Sequence, residues 1–467
     1  MIDVVTIETT SLGDRSYLAT DGTTAVVVDP QRDVDRVLDL VERLGVQVSL
    51  VLETHVHNDY VTGGLELAAT TGARYVLPAG SHVEFDHTAA DDGDVLRAGA
   101  LAVRAIRTPG HTHHHTSYAL LGAEDAVEAV FTGGSLLFGS TGRTDLVSPE
   151  DTVGLTHDQY RSARRLAEEL PAETAVYPTH GFGSFCSATP TTGDSSTIGE
   201  QAATNPALTQ AEDDYVRTLL DGLSAYPAYY AHMGPANRRG PAPVDLSMPA
   251  PVEPDEVRRR ITDGQWVVDL RARTAFAAGH LAGSYGFELS GSFVTYLGWL
   301  YHYGTPLTLI GETEDQVLAA RRELVRIGVD HLAGAVTGDI ETVAGGSVAD
   351  GALRSYRVSD FAGLARRLAD AEGSGAPLTV LDARRRDERA GGGVRGSVHL
   401  PLHELADRVE EVPQGEVWVY CGSGYRASIA ASVLDRPDRQ VVLIDDSYDN
   451  AGKAGLEERP AEGDDPA

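Results

Sequence analysis

The chain has 467 residues, a length that accommodates about three domains, each large enough to bury its own core. Hydrophobic residues make up 42% of the sequence and charged residues 23%, an ordinary balance for a folded protein that excludes wholesale disorder. The formal net charge is −31, and so acidic a field repels nucleic-acid phosphates and anionic lipid heads. We therefore expect neither a nucleic acid nor a membrane as a partner.

The two cysteines, Cys186 and Cys421, are too few for a disulfide framework and indicate a reducing compartment. The amino-terminal segment has neither a basic start nor an apolar core, so we expect no signal peptide. An uninterrupted apolar run of about 18 residues, which a membrane span requires, is not found either. These features predict a cytoplasmic protein.

The first part of the chain alternates β-rich runs with helical patterns. Residues 25–29 (AVVVD) and 49–53 (SLVLE) are predicted as buried strands, and apolar residues recur at helical spacing between them. Further β-rich runs lie at 101–107, 117–121 and 175–178. We expect a layered α/β domain over residues 1–235, followed by a proline-rich linker.

The rest of the chain repeats one pattern. Each copy opens with a helix and continues with a strand ending in Asp-x-Arg, VVDLR at 267–271 and VLDAR at 380–384, before a glycine-rich segment and a further strand and helix. This β-α-β-α order predicts a parallel, doubly wound sheet in each copy. We place these domains at 250–345 and 356–452. The acidic end, 453–467, is predicted to be a disordered tail.

Histidines follow the predicted strands of the first domain. His55 and His57 stand two residues apart after the strand 49–53, so both rings can converge on one point. His111 follows a later β-rich run in TPGH, and His180 stands in YPTHG. Four histidines placed in this way suit a transition metal ion, because imidazole is a common ligand of such metals.

Four motifs of this domain, HxHxD, TPGHT, FTGGSLLFGSTGRTDL and YPTHG, resemble in this order the metallo-β-lactamase superfamily. Within this superfamily the chain most resembles the persulfide dioxygenase branch, through the segments GRTDL, NPALT and PANRRG. The resemblance implies an αββα sandwich. Two departures stand out: Tyr60 replaces the last histidine of HxHxDH, and Gly134 replaces the metal-bridging aspartate of FTGD. Dinuclear hydrolases need both of the missing residues, so we disfavour a two-zinc thioesterase.

The persulfide dioxygenase resemblance implies one iron, held by the first histidine, the TPGH histidine and that aspartate. Of these, His55 and His111 are present. We therefore expect a mononuclear site of His55, His57 and His111 that holds one Fe(II), with zinc as the other candidate. Flanking groups or replacement ligands are expected among Asp59, His114 and His180.

Three other side chains of this domain have two interpretations each. Arg143, in GRTDL, pairs with a substrate carboxylate through its planar guanidinium or forms a loop-stabilising ion pair with Asp145. Tyr60 hydrogen-bonds a ligand of the metal or only packs. Cys186, shortly after His180, faces the metal pocket and shuttles sulfur, or is a buried structural thiol.

A cysteine loop follows the strand 416–420 of the last domain, with the sequence Cys421-Gly422-Ser423-Gly424-Tyr425-Arg426. Backbone N–H groups at the start of the next helix can cradle an anionic sulfur. With DARRRDER and GGVRGSVHLP, the loop resembles the rhodanese family, and its short C-x4-R spacing favours sulfur transfer over phosphatase chemistry. The resemblance implies that Cys421 is the nucleophile, assisted by Arg426, and that Gly422, Ser423, Gly424 and Tyr425 bind the substrate.

The middle domain resembles the opening of a rhodanese in VVDLRARTAFAAGHLAGS. Gly311 and Glu312 stand where the last domain has its cysteine loop. Because it has no thiol there, this copy cannot carry sulfur. We expect a catalytically silent domain that spaces or docks its neighbours.

Together the resemblances imply an enzyme of sulfur metabolism, a persulfide dioxygenase fused to a sulfurtransferase. Its partners would be small molecules: a persulfide of glutathione or another low-molecular-weight thiol, and sulfite or thiosulfate. Two alternatives stay open, a rhodanese with a metal-poor pseudo-enzyme domain and a mononuclear zinc thioester hydrolase. We also expect a homo-oligomer.

Overall fold

The computed structural model describes residues 2–191, 193–349, 351–374 and 377–458. The chain divides into two compact units. The first comprises Met1–Asp245 and Arg322–Asp330, and the second comprises Leu246–Arg321 and the residues from His331 onward. Among the described helices, none has the length and apolar character that crossing a membrane requires.

Two sheets form the centre of the first unit. The first sheet contains β1 (Asp3–Thr9), β2 (Asp14–Thr20), β3 (Thr24–Val28), β4 (Gln47–Leu52), β5 (Arg74–Pro78) and β6 (Thr88–Ala90), in that order across the sheet. The second contains β7 (Val95–Ala98), β8 (Leu101–Arg107), β9 (Thr116–Leu121), β10 (Val127–Gly133) and β11 (Ala175–Pro178), in the order β11-β10-β9-β8-β7. Pairing is parallel from β3 to β6 and between β10 and β11, and antiparallel elsewhere.

Helices pack on the outer faces of the two sheets. They are α1 (Asp35–Leu44), α2 (Gly64–Thr71), α3 (Thr152–Glu169), α4 (Ile198–Thr204), α5 (Pro206–Thr209), α6 (Glu212–Gly222) and α7 (Tyr230–Arg239). Alternation along β3 shows how both faces are buried: Ala25 and Val27 cluster with α1 and α2, whereas Val26 and Val28 cluster with the second sheet. The predicted αββα sandwich is thereby confirmed.

The ends of five strands position the candidate site. β3 leads into Asp29, β4 into the loop of His55, β8 into that of His111, β10 into Gly134, and β11 into His180. β3 and β4 are parallel, and so are β10 and β11, so the loops leave each sheet at one edge. These loops therefore meet although their residues are far apart in the sequence.

The second unit contains two parallel sheets. The elements of its first part are α8 (Pro254–Thr262), β12 (Trp266–Asp269), α9 (Arg273–Ala278), β13 (Tyr285–Gly286), α10 (Phe293–Leu300), β14 (Leu307–Gly311), the residues of α11 (Glu314–Arg326) before Arg322, β15 (Leu332–Thr337) and α12 (Ile340–Ala344). Those of its second part are β16 (Arg357–Ser359), α13 (Phe361–Ser374), β17 (Leu378–Asp382), α14 (Arg386–Ala390), β18 (Gly393–Val394), β19 (Val398–His399), α15 (Leu402–Arg408), β20 (Gly415–Tyr420), α16 (Tyr425–Leu434), β21 (Arg439–Ile444), α17 (Asp449–Lys453) and β22 (Glu457–Glu458).

The predicted duplication is visible in the strand order. The first sheet of this unit has the order β13-β12-β14-β15, and the second contains the matching order β19-β17-β20-β21, with β16 added at its edge. Every pair in both of these sheets is parallel. The two parts of the unit thus share one strand order in a parallel sheet, and their origin as copies stays a prediction.

Both copies contain the same buried ion pair, at the end of β12 in one and of β17 in the other. Arg271 donates to Asp269 at 2.6 Å and to the Gly279 carbonyl at 2.8 Å. Arg384 donates to Asp382 at 2.8 Å and to the carbonyl of Gly392 at 2.6 Å. The Asp-x-Arg motif is therefore a structural ion pair, here named the clasp, in which the arginine joins the aspartate to a glycine carbonyl.

Two predicted boundaries differ from the structure. Arg322–Asp330, predicted within the domain 250–345, belongs to the first unit, where Arg326 makes a buried ion pair with Asp33 at 2.6 Å. The first part of the segment predicted as a disordered tail from residue 453 is ordered, because Lys453 ends α17 and Glu457–Glu458 pairs with Gly393–Val394. The remainder of the predicted tail lies outside the described residues.

Candidate functional site

Buried histidines from three loops meet at the strand ends of the first unit. His55, His57, His111 and His180 are each at most 1% exposed. The ring centroid of His55 lies 4.1 Å from that of His57, 4.8 Å from that of His111 and 5.3 Å from that of His180. The structure brings together the three predicted metal ligands and His180.

His111 presents an unpartnered nitrogen to this cluster. Its Nδ1 lies 2.7 Å from the Arg143 carbonyl, which can only accept, so Nδ1 carries the proton and Nε2 has the free lone pair. Nε2 is buried and has no hydrogen-bond partner among the described residues. Burial lowers the pKa of His111 to about 3, and His180 contributes to the same shift. A neutral ring oriented through its other nitrogen is the form in which histidine binds a metal.

His55 and His57 are oriented in different ways. His55 Nδ1 lies 2.9 Å from Thr54 Oγ1, and burial together with the neighbouring imidazoles lowers the pKa of His55 well below its usual value. His57 Nε2 lies 3.2 Å from both Asp29 and Glu53. Burial lowers the pKa of His57, but these carboxylates outweigh it and raise the pKa to about 10. Only Nδ1 of His57 is left for a metal ion, and it has no partner among the described residues.

Tyr60 lies beneath the cluster and is fully buried. Its hydroxyl is 3.0 Å from His57 Nε2 and donates to the Asp29 carbonyl at 3.3 Å. Tyr60 is expected from the sequence to hydrogen-bond a ligand of the metal or only to pack. This geometry agrees with packing, because the hydroxyl contacts His57 and the Asp29 carbonyl.

His180 is held by two carboxylates on the opposite side. Its Nδ1 lies 2.9 Å from Asp14 and 3.0 Å from Asp59, while its Nε2 is 3.3 Å from His55 Nε2. Burial lowers the pKa of His180, but Asp59 and Asp14 raise it to about 9. Burial raises the pKa of Asp59, but the charge of His180 more than reverses this and lowers it. Asp59 and His180 are therefore present at the site, as predicted.

Gly134 leaves no room for the aspartate of the superfamily. A Cβ atom at this position would lie 2.4 Å from His111 Cδ2. The N–H of Gly134 donates to His115 Nε2 at 3.0 Å, and His115 Nδ1 lies 3.0 Å from Thr108 Oγ1. His115 is buried and both of its nitrogens are occupied, so it supports the loop and is not a spare ligand.

His114, a predicted replacement ligand, lies outside the cluster. The centroid of its ring lies 5.5 Å from that of the His82 ring, and the side chain is partly exposed. His113 is also turned outward and pairs with Asp151 at 3.1 Å. The chain direction after β8 explains this, since successive residues of the loop 112–115 face different sides.

Cys186 faces the metal pocket, which was one of its two interpretations. Its sulfur and the ligand nitrogens of His111 and His180 all lie within 4.8 Å of one another. Its Sγ is 3.7 Å from the Tyr230 hydroxyl. Burial raises the pKa of the Cys186 thiol well above its usual value, and the Asp59 carboxylate raises it further.

A cavity of about 380 Å³ adjoins this buried cluster. Thr112, next to His111, and Tyr230, next to Cys186, form part of its wall. Other wall residues are Val56, Asn58, Ser81, His113, His114, Leu146, Val147, Tyr226, Ala231, Pro235 and Arg238. A small molecule in this cavity would therefore stand beside the histidines.

Arg143 takes the structural one of its two predicted roles. Its guanidinium makes two bonds of 2.7 Å to Asp145 and donates to the carbonyls of Phe185 and Ser224 at 3.2 and 2.7 Å. The side chain is only 3% exposed. Its donors are thus engaged within the protein, and a substrate carboxylate has no access to them.

In the second unit, Cys421 stands at the end of β20 and is 1% exposed. Gly424 has a φ of +88°, and a Cβ atom there would lie 2.1 Å from Asp445 Oδ1, so glycine is required at this turn. α16 begins at the next residue, Tyr425. The predicted order of strand, cysteine loop and helix is therefore present.

Arg426 and Tyr425 are both engaged by other side chains or carbonyls. Arg426 forms a bidentate pair with Glu388, in which Nη2 lies 2.7 Å from Oε1. Tyr425 donates its hydroxyl to the Glu288 carbonyl at 2.8 Å. The hydroxyl of Tyr425 therefore does not face the loop, and only its backbone can serve the predicted substrate contact. Glu388 is a site residue that the sequence analysis did not single out.

Gly311 occupies the position of Cys421 in the other copy. The Leu270 N–H donates to the carbonyl of Ile310, as the Ala383 N–H does to that of Tyr420, both at 2.9 Å. The residues that follow these carbonyls are Gly311 and Cys421. The described free thiols are Cys186 and Cys421, which leaves this copy without one.

The copy without a thiol nevertheless lines a cleft beside Arg426. Trp299 stacks on His403 with 5.0 Å between ring centroids, and Tyr296 lies 5.9 Å from Tyr425. The cleft is lined by Tyr296, Trp299, Leu300, Ala383, Arg385, Leu402, His403 and Arg426. α10 thus contributes to the surroundings of the cysteine loop.

Comparison with known families matches the two regions built above. Residues 13–180 match the metallo-β-lactamase superfamily model, and residues 364–454 match the rhodanese-like domain model. The chain combines a metallo-β-lactamase domain with a rhodanese-like domain. The first match contains the histidine cluster and the second contains Cys421, so each candidate site lies inside a recognised domain.

Relatives of the metallo-β-lactamase domain include sulfur enzymes and hydrolases. Human mitochondrial persulfide dioxygenase ETHE1 is 29% identical over 242 residues, which cover 51% of this chain and 80% of that protein. Hydroxyacylglutathione hydrolase of Methylococcus capsulatus is 35% identical over 148 residues, 31% of this chain and 53% of that protein. A metallo-β-lactamase structure from Staphylococcus aureus has a TM-score of 0.65 at 24% identity, covering 72% of this chain and 99% of its own. That last likeness concerns the fold.

Proposed function

We propose that the protein is an enzyme of sulfur metabolism with two activities. The metallo-β-lactamase domain oxidises the outer sulfur of a low-molecular-weight persulfide with O2, and the rhodanese-like domain transfers sulfane sulfur through Cys421. The observation that carries the proposal is the pairing, in one chain, of a buried imidazole cluster with a cysteine loop of sulfurtransferase type. The 29% identity to a persulfide dioxygenase supports the same direction.

The donor set of the first domain fits one metal ion. The buried Nε2 of His111 is an acceptor without a donor among the described residues, which is costly in a protein interior unless a cation binds it. His55, His57 and His111 would hold the ion, with His180 beside them. Iron is the proposed metal, and when bound it supplies the redox chemistry that O2 requires.

The surrounding residues of the domain bind the substrate and exclude water. The cavity beside Thr112 and Tyr230 is large enough for a small thiol compound and opens toward solvent near the exposed side chain of Arg238. Arg238 is placed to pair with a substrate carboxylate, the task that Arg143 cannot perform. Asp29 and Glu53 hold the proton of His57 at Nε2, which keeps its Nδ1 directed at the pocket.

The rhodanese-like domain transfers sulfur by two displacements. The Cys421 thiolate attacks the outer sulfur of thiosulfate or a persulfide, an S–S bond forms, and sulfite or the thiolate of the donor leaves with the bonding pair. An acceptor thiolate or sulfite then attacks that sulfur and releases the Cys421 thiolate. The backbone of Gly422, Ser423 and Gly424 surrounds the anionic sulfur, and Arg426, held by Glu388, adds positive charge.

O2 uptake at an oxygen electrode and sulfur transfer from thiosulfate, measured on one set of proteins, test the two activities. With glutathione persulfide, wild-type protein is expected to consume O2 and to form sulfite. His111→Ala is expected to lose O2 consumption, while Cys421→Ser keeps it and loses sulfur transfer from thiosulfate. Metal-free protein with full sulfur transfer would contradict the dioxygenase and favour a pseudo-enzyme first domain. Zinc-loaded protein that cleaves a glutathione thioester without O2 uptake would favour a hydrolase.

A further inference from the structure

We propose that Cys186 is a ligand of the metal in the first unit and supplies the anionic donor that Gly134 does not. The inference rests on the proposed metal site and adds one specific ligand to it. It gives the buried thiol a function that neither domain resemblance assigns.

The first support is distance. The sulfur of Cys186, a ring nitrogen of His111 and one of His180 lie within 4.8 Å of one another, and all three residues are buried. Ligand atoms around one tetrahedral ion, with metal–nitrogen bonds near 2.1 Å and metal–sulfur bonds near 2.3 Å, stand about 3.5 Å apart. The three atoms therefore lie at most about 1.3 Å farther apart than that spacing (4.8 Å against about 3.5 Å).

The second support is the unpartnered nitrogen of His111. Its Nε2 is fully buried and has no hydrogen-bond partner among the described residues, and a ring nitrogen of His111 lies within 4.8 Å of the Cys186 sulfur. A buried thiol beside a satisfied histidine would be ordinary packing. A buried thiol beside an imidazole whose lone pair lacks a donor is the arrangement that a shared cation explains.

The third support is that one residue fixes both candidate ligands. The backbone carbonyl of Arg143 accepts from His111 Nδ1 at 2.7 Å, and its backbone N–H donates to the Cys186 carbonyl at 2.8 Å. The guanidinium of Arg143 also donates to the carbonyl of Phe185, the residue before Cys186. Arg143 is thus a positioning residue that holds the two loops in register with each other.

Charge gives the fourth support. Imidazoles alone give the ion no anionic donor atom, although buried carboxylates contact His57 and His180. The superfamily carboxylate cannot enter from position 134, since a Cβ there would lie 2.4 Å from His111. Cys186 can supply a negative charge: the thiol proton leaves to solvent as the metal–sulfur bond forms, and no electron is transferred.

Cobalt substitution tests this ligand directly. Full-length protein would be loaded with Co(II), whose thiolate complexes give an intense near-ultraviolet charge-transfer band. The band is expected in the wild type and in Cys421→Ser, the matched control for the other thiol. In Cys186→Ser it should vanish, and Co(II) affinity, measured by chelator competition, should fall about 10- to 100-fold.

The outcomes separate this inference from the proposed function. One equivalent of Co(II) bound without a thiolate band in the wild type overturns the role of Cys186 and leaves the metal site intact. A band that persists in Cys186→Ser also overturns it. Protein that binds no metal overturns both proposals. The wild-type spectrum decides the question even if Cys186→Ser fails to fold.

Discussion

Gly134 allows the sharpest test of how the metal pocket is packed, because restoring the superfamily residue should damage the site. A Cβ atom at position 134 would lie 2.4 Å from Cδ2 and 2.6 Å from Cγ of the His111 ring. An ordinary contact needs about 3.5 Å, so the ring must move by about 1 Å. That movement breaks the bond of 2.7 Å from His111 Nδ1 to the Arg143 carbonyl.

We expect Gly134→Ala and Gly134→Asp to lower stability by about 2–4 kcal/mol, from overpacking and the loss of a buried hydrogen bond. Metal affinity should fall about 10- to 100-fold, because His111 loses its orientation. Chelator competition measures the affinity, and urea unfolding of the first unit measures the stability. Gly154→Ala is the matched control, since Gly154 lies in α3 with open space around it and should gain stability slightly. Tighter metal binding by Gly134→Asp would refute this account of the packing.

Three further substitutions test contacts elsewhere in the chain. Glu388→Gln weakens the bidentate ion pair with Arg426 and should lower kcat/KM for sulfur transfer about tenfold. That factor corresponds to about 1.4 kcal/mol of transition-state free energy. An unchanged rate in a thiosulfate assay would contradict this prediction. Arg143→Lys cannot reproduce four donations and should destabilise the first unit by about 1–3 kcal/mol in urea unfolding, with no change as the contrary result. Asp269→Asn leaves the buried Arg271 without its counter-charge and should lower the free energy of unfolding by about 3 kcal/mol. Faster hydrogen exchange of the β12 amides would show this loss. Unchanged exchange would argue against a stabilising role of the clasp.

Much of the fold followed from local patterns. The runs at 25–29 and 49–53 predict strands because apolar residues with a β preference are concentrated there. β3 and β4 contain all but the last residue of each run. The Asp-x-Arg repeat located both doubly wound sheets. His55 and His111 could be named as site residues because each follows a strand, where the loops of a sheet edge gather.

Other parts of the site depend on contacts that a sequence does not display. His115 and His114 are adjacent in the sequence. Only the structure shows that His115 is the buried one and that its ring accepts a hydrogen bond from the Gly134 N–H. The sequence allows Arg143 either to bind a substrate or to stabilise its loop. Its hydrogen bonds to the carbonyls of Phe185 and Ser224, which lie far along the chain, favour the second role. The roles of Asp29 and Glu53 arise only once β3 and β4 lie side by side. Burial and long-range partners are the missing information in each case.

The clasp of Asp269 and Arg271 has a consequence for how this domain could lose its chemistry. The pair closes on the carbonyl of Gly279 and needs nothing from position 311, where the other copy has its nucleophile. A substitution that removed a thiol there would have left the domain as well folded as before. The aromatic side chains of α10 lie beside Arg426, so this copy shapes the surroundings of the other one. The folding of this copy is therefore separable from the presence of a thiol at position 311.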